Sequence, residues 1–299
     1  MKKIEINRIM IPTDFSETAD LALEHACFMA QLFRADLHLV HVMTSFTYSS
    51  PIPEMFIDNT LVKELQDKIQ DTLDAKAEEI KKKYSVNVTT TLTIGAVVSS
   101  LVEIIKDNNI DIVVLGSHGA SGIKELLIGS NAYRLVIASP VPVLTIQSHA
   151  KKLGFTKFFL PIDSSPFTRE KIGPAVSLAE KYGAEIFLYG CLTEEHRNEY
   201  NQMKLRIEQS EEFIKKHGIP VKSMIEPVEN LARATYTKAK EMGADLIVIM
   251  TDQEPSNDLF IGPYTQQIVH RSKIPVLTIP TYAYKEWIEN PNTQVTSLF

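Results

Sequence analysis

With 299 residues, 44% of them apolar, the chain has enough nonpolar material for a full core and enough length for two domains. Its 31 basic and 37 acidic residues leave a net charge of −6 with no long basic block, which argues against nucleic acid as the main partner. Cys27 and Cys191 are too few for a disulfide framework or a cysteine zinc site, no run suits a signal peptide or a membrane span, and the chain reads as soluble and cytoplasmic.

In chain order, residues 8–12 form a short apolar run closed by Pro12 and Asp14, as expected of a buried strand. Ala19, Leu23, Ala26, Ala30 and Phe33 then recur at helical spacing over 16–33, giving a helix whose mostly small buried face permits close packing on a sheet. Cys27 falls on that face and reads as core. Residues 37–42 are a second apolar strand, and 44–60 a turn-rich loop. Leu61, Leu65, Ile69, Leu73, Ala77, Ile80 and Tyr84 mark a long helix with a charged, solvated outer face. Residues 86–92 alternate like a half-exposed strand, and Leu101, Ile104 and Ile105 suit a further helix. A buried strand over 111–115, a short helix over 130–138 and a strand over 141–146 follow.

The chain then repeats this order. Val141-Pro-Val-Leu-Thr-Ile146 returns as Ile274-Pro-Val-Leu-Thr-Ile279, and Asp111-Ile-Val-Val-Leu115 as Asp245-Leu-Ile-Val-Ile249. Arg8-Ile-Met-Ile-Pro-Thr-Asp14 answers to Lys157-Phe-Phe-Leu-Pro-Ile-Asp163, and Ala35-Asp-Leu-His-Leu39 to Ala184-Glu-Ile-Phe-Leu188. The unit is too long for a solenoid repeat, so each copy is a domain: 1–150 and 151–283, with a tail over 284–299 that carries Trp287. The second copy is shorter between its second and fourth strands, where 44–60 is the surplus. Apolar strands alternating with helices predict two doubly wound α/β domains, each with helices on both faces of a parallel sheet. Ligands of such sheets lie beyond the carboxyl ends of the strands, near the switch in strand order.

In the first copy that region reads Gly116-Ser-His118-Gly119-Ala-Ser-Gly122 and, before the next helix, Gly129-Ser130-Asn131. Glycines let a backbone turn tightly and approach a ligand, and a helix start with free amides and Ser130 as its cap favours an anion. A glycine turn with an ordinary cap is the alternative, and the residues alone leave both open. Neither a Walker A loop nor a Gly-x-Gly-x-x-Gly after the first strand is present.

Gly116-x2-Gly119-x9-Gly129-Ser130 resembles the nucleotide-binding signature of the universal stress proteins. Pro12-Thr13-Asp14 before Ser16, the His41-Val42 strand end and the closing Val-Pro-Val-Leu-Thr-Ile strand are similar to that family too. The resemblance implies a five-stranded parallel sheet in each copy, of the adenine nucleotide alpha hydrolase-like kind. It also implies ATP, with magnesium screening the phosphates. The triphosphate would run along Gly116, His118, Gly119, Gly129, Ser130 and Asn131, with adenine against Pro12, Thr13 and the backbone of Val42 and with Asp14 facing the adenosine. The family's last strand commonly forms a dimer contact, which two linked copies can make within one chain as an intramolecular pseudo-dimer; a homodimer of such chains is a further expectation.

The second copy departs from the signature. Met250, Gln253 and Pro263 stand where Gly116, Gly119 and Ser130 stood, and Asp252, Glu254 and Asp258 add negative charge where a triphosphate would settle. Asp163 alone makes no site and reads as a turn cap. His38 and His41, three apart on a strand, face opposite ways and do not read as zinc ligands; no metal-binding side chains are expected, and Lys124 reads as a solvated charge as readily as a phosphate ligand. With no general base or arginine finger in view, no catalytic residue is named and turnover is expected to be slow at most, by hydrolysis or by transfer of a phosphoryl group to Ser130 or a neighbour. The expected role is an ATP-binding stress-response protein with an unidentified protein partner; the alternative is a nucleotide-free scaffold on the same fold.

Overall fold

The computed structural model describes residues 3–44, 59–117, 128–165, 167–251 and 263–281. The first copy runs β1 (Arg8–Pro12), α1 (Glu17–Phe33), β2 (Asp36–Met43), α2 (Asn59–Tyr84), β3 (Val88–Ile94), α3 (Val97–Asp107), β4 (Ile112–Gly116), α4 (Ser130–Ala138) and β5 (Val143–Ile146). The second runs β6 (Lys157–Ile162), α5 (Ile172–Tyr182), β7 (Glu185–Leu192), a 3-10 helix (Glu194–Glu199), α6 (Tyr200–Lys216), β8 (Val221–Pro227), α7 (Leu231–Glu241), β9 (Leu246–Thr251), α8 (Pro263–Arg271) and β10 (Val276–Pro280).

All ten strands join one sheet in the order β3-β2-β1-β4-β5-β10-β9-β6-β7-β8. Within each copy the pairing is parallel, and the copies meet where β5 runs antiparallel to β10. That seam is buried and reciprocal: Thr145 Oγ1 donates to the Val276 carbonyl and Thr278 Oγ1 to the Val143 carbonyl, each at 3.1 Å. The strands of the middle are apolar because helices cover them on both faces. One layer holds α1, with Ala22, Ala26, Cys27 and Ala30 fully buried, together with α2, α5 and α6; the other holds α3, α4, α7 and α8. Burial pushes the Cys27 thiol up to about 12, consistent with a structural rather than reactive cysteine.

Two strands have limits that differ by two residues from those expected. The third strand is Val88–Ile94 rather than 86–92, because Ser85 closes the preceding helix with a left-handed φ of 56°. The fifth begins at Val143 rather than 141, because Val141 bonds locally: its amide donates to Ser139 Oγ, which donates to its carbonyl. Ser272 and Ile274 repeat that exchange in the second copy. Asp111 and Asp245 repeat another, each accepting from two amides at the start of its copy's first strand, Asn7 and Arg8 or Thr156 and Lys157.

The connection between the copies packs against α1 and α5. His25 Nε2 lies 2.7 Å from the Ala150 carbonyl, and its ring stacks on Phe155, which meets Tyr182 edge-on. Burial lowers the pKa of His25, as it does for His38 and His270, the Arg8 charge adding to the effect on His38. A histidine held neutral on folding binds fewer protons than in the unfolded chain. Stability is therefore fully present above the unfolded pKa near 6.5 and falls as acidification carries the pH through that value toward the folded ones. Urea unfolding at pH 7.5 and at pH 5 should give the lower midpoint at pH 5. Replacing His25 by glutamine should shrink the difference between the two.

Candidate nucleotide-sized cleft

The carboxyl ends of β1, β2 and β4 open onto a cleft of ≈ 350 Å³, within the range that suits a small organic ligand. It sits where strand order reverses, since the chain goes from β1 outward to β2 and β3 and then returns to β4. Pro12, Thr13, Asp14, Val42, Gly116, Gly129, Ser130 and Asn131 all line it, with Val97 and Leu101 of α3 and Leu135 of α4 as apolar wall. Two expected site residues, His118 and Gly119, lie outside the described residues, as do Gly122 and Lys124.

Beyond β1 the chain makes a fixed turn. The Thr13 amide donates to the Val40 carbonyl at 2.8 Å, Phe15 donates to Thr13 Oγ1, and Ser16 donates to Asp14 Oδ1. Phe15 takes the left-handed φ of 61°, unusual for a bulky side chain, and Ser16 Oγ caps α1 by accepting from the Ala19 amide. His41 holds this turn in place: its Nδ1 lies 2.7 Å from the Thr13 carbonyl, and its ring packs on Phe15 at 4.9 Å. His41 thus lines the cleft as a positioning residue, while His38 is buried between Thr89 and Thr91. Val40 points its carbonyl at Thr13, so Val42, two residues on, presents its N–H and C=O to the same side, past the end of β1. That edge offers one donor and one acceptor beside the apolar wall.

The opposite end of the cleft is the start of α4. Its N-cap is Gly129, not Ser130: φ is −59° and ψ 145°, no side chain caps the helix, and Ser130 is its first helical residue. Gly129 is held by its amide, which donates to the Ser117 carbonyl at 2.7 Å. The amides of Ser130, Asn131 and Ala132 donate to no group among the described residues. Three open N–H groups and the positive end of a helix dipole thus face the cleft. Gly116 has a different reason for being glycine than loop bending. It ends β4, and a Cβ there would stand 2.7 Å from the Thr18 carbonyl oxygen of α1.

Larger, hydrogen-bonded side chains stand at the corresponding positions of the second copy. Tyr189 occupies the β7 position matching Val40, is 1% exposed, and donates from its hydroxyl to Glu226 Oε2 at 2.8 Å. Glu226 in turn accepts from Lys238 of α7. Thr235 and Tyr264, at 3.3 Å, tie α7 to α8 where Leu101 and Asn131 border the open cleft of the first copy. Cys191 matches Val42; burial raises its thiol pKa well above the ordinary range. Met250, one residue before the end of β9, takes the place of Gly116 at the end of β4, and α8 begins with Pro263, which has no amide hydrogen to offer. Asp163 accepts from the Ser165 amide as Asp14 does from Ser16, a turn bond. Gln253, Asp252, Glu254 and Asp258 lie outside the described residues. Among the described residues no cluster of three His, Cys, Asp or Glu side chains is placed to hold a metal, and no helix is long and apolar enough to cross a membrane.

Comparison with known proteins agrees with this architecture. The model of the universal stress protein family matches twice, over residues 5–147 and 154–280. Universal stress protein MJ0577 of Methanocaldococcus jannaschii is 30% identical over 152 residues, which span 47% of this chain and 94% of that protein. YxiE of Bacillus subtilis is 26% identical over 148 residues, 47% of this chain and 99% of its own. Each relative thus corresponds to about one copy. A universal stress protein structure from Archaeoglobus fulgidus shares the whole fold, with a TM-score of 0.75 at 20% identity, covering 93% of this chain and 99% of that one. The chain belongs to the universal stress protein family, as a tandem of two family domains.

Proposed function

We infer that this tandem family member binds ATP in its first copy and uses the second as a structural or partner-binding half. The observation that carries the reading is the two-ended character of the first cleft. An apolar slot with the donor–acceptor edge of Val42 suits a purine, whose rim pairs an acceptor with a donor. The open amides of Ser130, Asn131 and Ala132 at the other end suit a phosphate chain, and Asp14 stands between them on the β1 turn, within reach of a ribose hydroxyl. A divalent ion such as magnesium would neutralise part of the phosphate charge. His41 bonds through Nδ1 to the Thr13 carbonyl, so its ring helps to hold the purine end in shape.

The larger side chains at the matching positions of the second copy, Tyr189 and the bonded pair Thr235–Tyr264, support a binding stoichiometry of one. Calorimetric titration of the chain with ATP and magnesium should give one nucleotide per chain. Two equivalent sites, or no heat and no melting shift at millimolar ATP, would overturn the proposal. Mass spectrometry of small molecules released from the purified protein identifies which adenine nucleotide it carries.

A further inference from the structure

A second cleft, of ≈ 460 Å³, lies at the far end of the first copy and is shared by both. Asn7, Asp111 and Val141, at or just before the starts of β1, β4 and β5, form one side. Because β10 runs antiparallel to β5, the other side is the carboxyl end of β10, Ile279 and Pro280. Its apolar surface is dominated by rigid groups: Pro140, Pro142, Pro174 and Pro280, with Ile4 and Ile110. Proline rings have no rotamer freedom to lose, and aromatic side chains pack on them with little entropy cost.

The chain leaves β10 at the mouth of this cleft, since Pro280 is both the end of the strand and part of the lining. Residues 282–299 lie beyond it, outside the described residues. Their composition is uneven: Tyr282, Tyr284, Trp287 and Ile288 all fall within the first few positions, and the rest is mostly polar. From Thr281 to Trp287 an extended chain at about 3.3 Å per residue reaches roughly 20 Å, so the aromatic stretch can enter the cleft without crossing another element. We propose that the aromatic start of the C-terminal tail, centred on Trp287, docks in the proline-lined cleft of its own chain and so braces the two copies against each other.

Trp287 is the only tryptophan, so its fluorescence reads the proposal without labelling. In the native full-length chain its emission should be blue-shifted, and acrylamide should quench it several-fold less steeply than in the urea-unfolded chain. Ile4→Glu, which puts a charge in the cleft from the partly exposed amino-terminal segment, should move both readings most of the way to the unfolded values while far-ultraviolet circular dichroism stays native. A pair of cysteines, Glu5→Cys with Ile288→Cys, supplies a measurement that does not depend on that variant folding. Native Cys27 and Cys191 are buried and do not compete, so mild oxidation should join the new pair within one chain, and a Lys204→Cys partner on exposed α6 in place of Glu5→Cys should not react. Native tryptophan quenched as in the unfolded chain overturns the proposal. So does protection that neither Ile4→Glu nor the cysteine pair detects at the cleft, which places the tail elsewhere. Protection or cross-linking that appears only as protein concentration rises assigns the cleft to the tail of a second copy and also overturns it.

Discussion

Ser130→Asp is expected to separate the stability of the protein from its response to nucleotide, moving them in opposite directions. In the absence of ligand the new carboxylate sits at the first helical residue of α4, beside open amides and the positive end of the dipole, and should stabilise the helix by about 0.3–1 kcal/mol. With ATP and magnesium the same charge stands where phosphate oxygens are proposed to lie. The ligand-induced gain, about 2.7 kcal/mol at a hundredfold excess over the dissociation constant, should disappear. Ser130→Ala is the matched control, because it keeps the backbone N–H groups and should retain most of the shift. Melting curves of the three proteins with and without ATP decide the matter. A full shift in Ser130→Asp would mean that this helix start does not carry the phosphates.

Gly116→Ala should damage both properties together. The added Cβ would stand 2.7 Å from the Thr18 oxygen, 2.8 Å from its carbonyl carbon and 3.1 Å from the Ala19 nitrogen. All three are backbone atoms of the first turns of α1, so no side chain can swing aside. Overpacking of this kind costs about 1–3 kcal/mol, and relief requires α1 to retreat, taking with it the Thr13–Ser16 turn that lines the cleft. The helix at the matching place in the second copy is shorter. With Met250 at the corresponding strand position, it ends at an equivalent left-handed cap, Gly183 for Arg34, yet has 11 residues rather than 17. Urea titration and nucleotide titration of Gly116→Ala should therefore both report losses. Wild-type stability would show that α1 yields freely at this point.

Much of the architecture was readable before any coordinates, because buried parallel strands write themselves as unbroken apolar runs and because the chain states its plan twice. The family resemblance pointed to Pro12, Thr13, Asp14, Val42 and the helix start Gly129–Asn131, and the structure gathers them around one cleft. What escaped were properties that depend on contacts between distant segments. His41 was seen as part of a motif, but its bond to Thr13 joins two strands and has no local signature. Gly116 was attributed to loop bending because the approach of Thr18 is set by how α1 lies on β4. Ser130 was expected to be the cap, as serine usually is, whereas the preceding glycine takes that place with no side chain to contribute. Tyr189 gave no warning either, since an aromatic residue in a buried strand is ordinary until its position is laid over Val40.

The antiparallel seam between β5 and β10 has a bearing on how such a protein can change. Two identical subunits that pair through a shared edge carry every substitution twice, so a mutation that blocks one pocket blocks both. Here the pairing halves are tethered, their association survives dilution, and each is encoded separately. Either half is therefore free to change the side chains at its own strand ends while still serving as a permanent neighbour to the other.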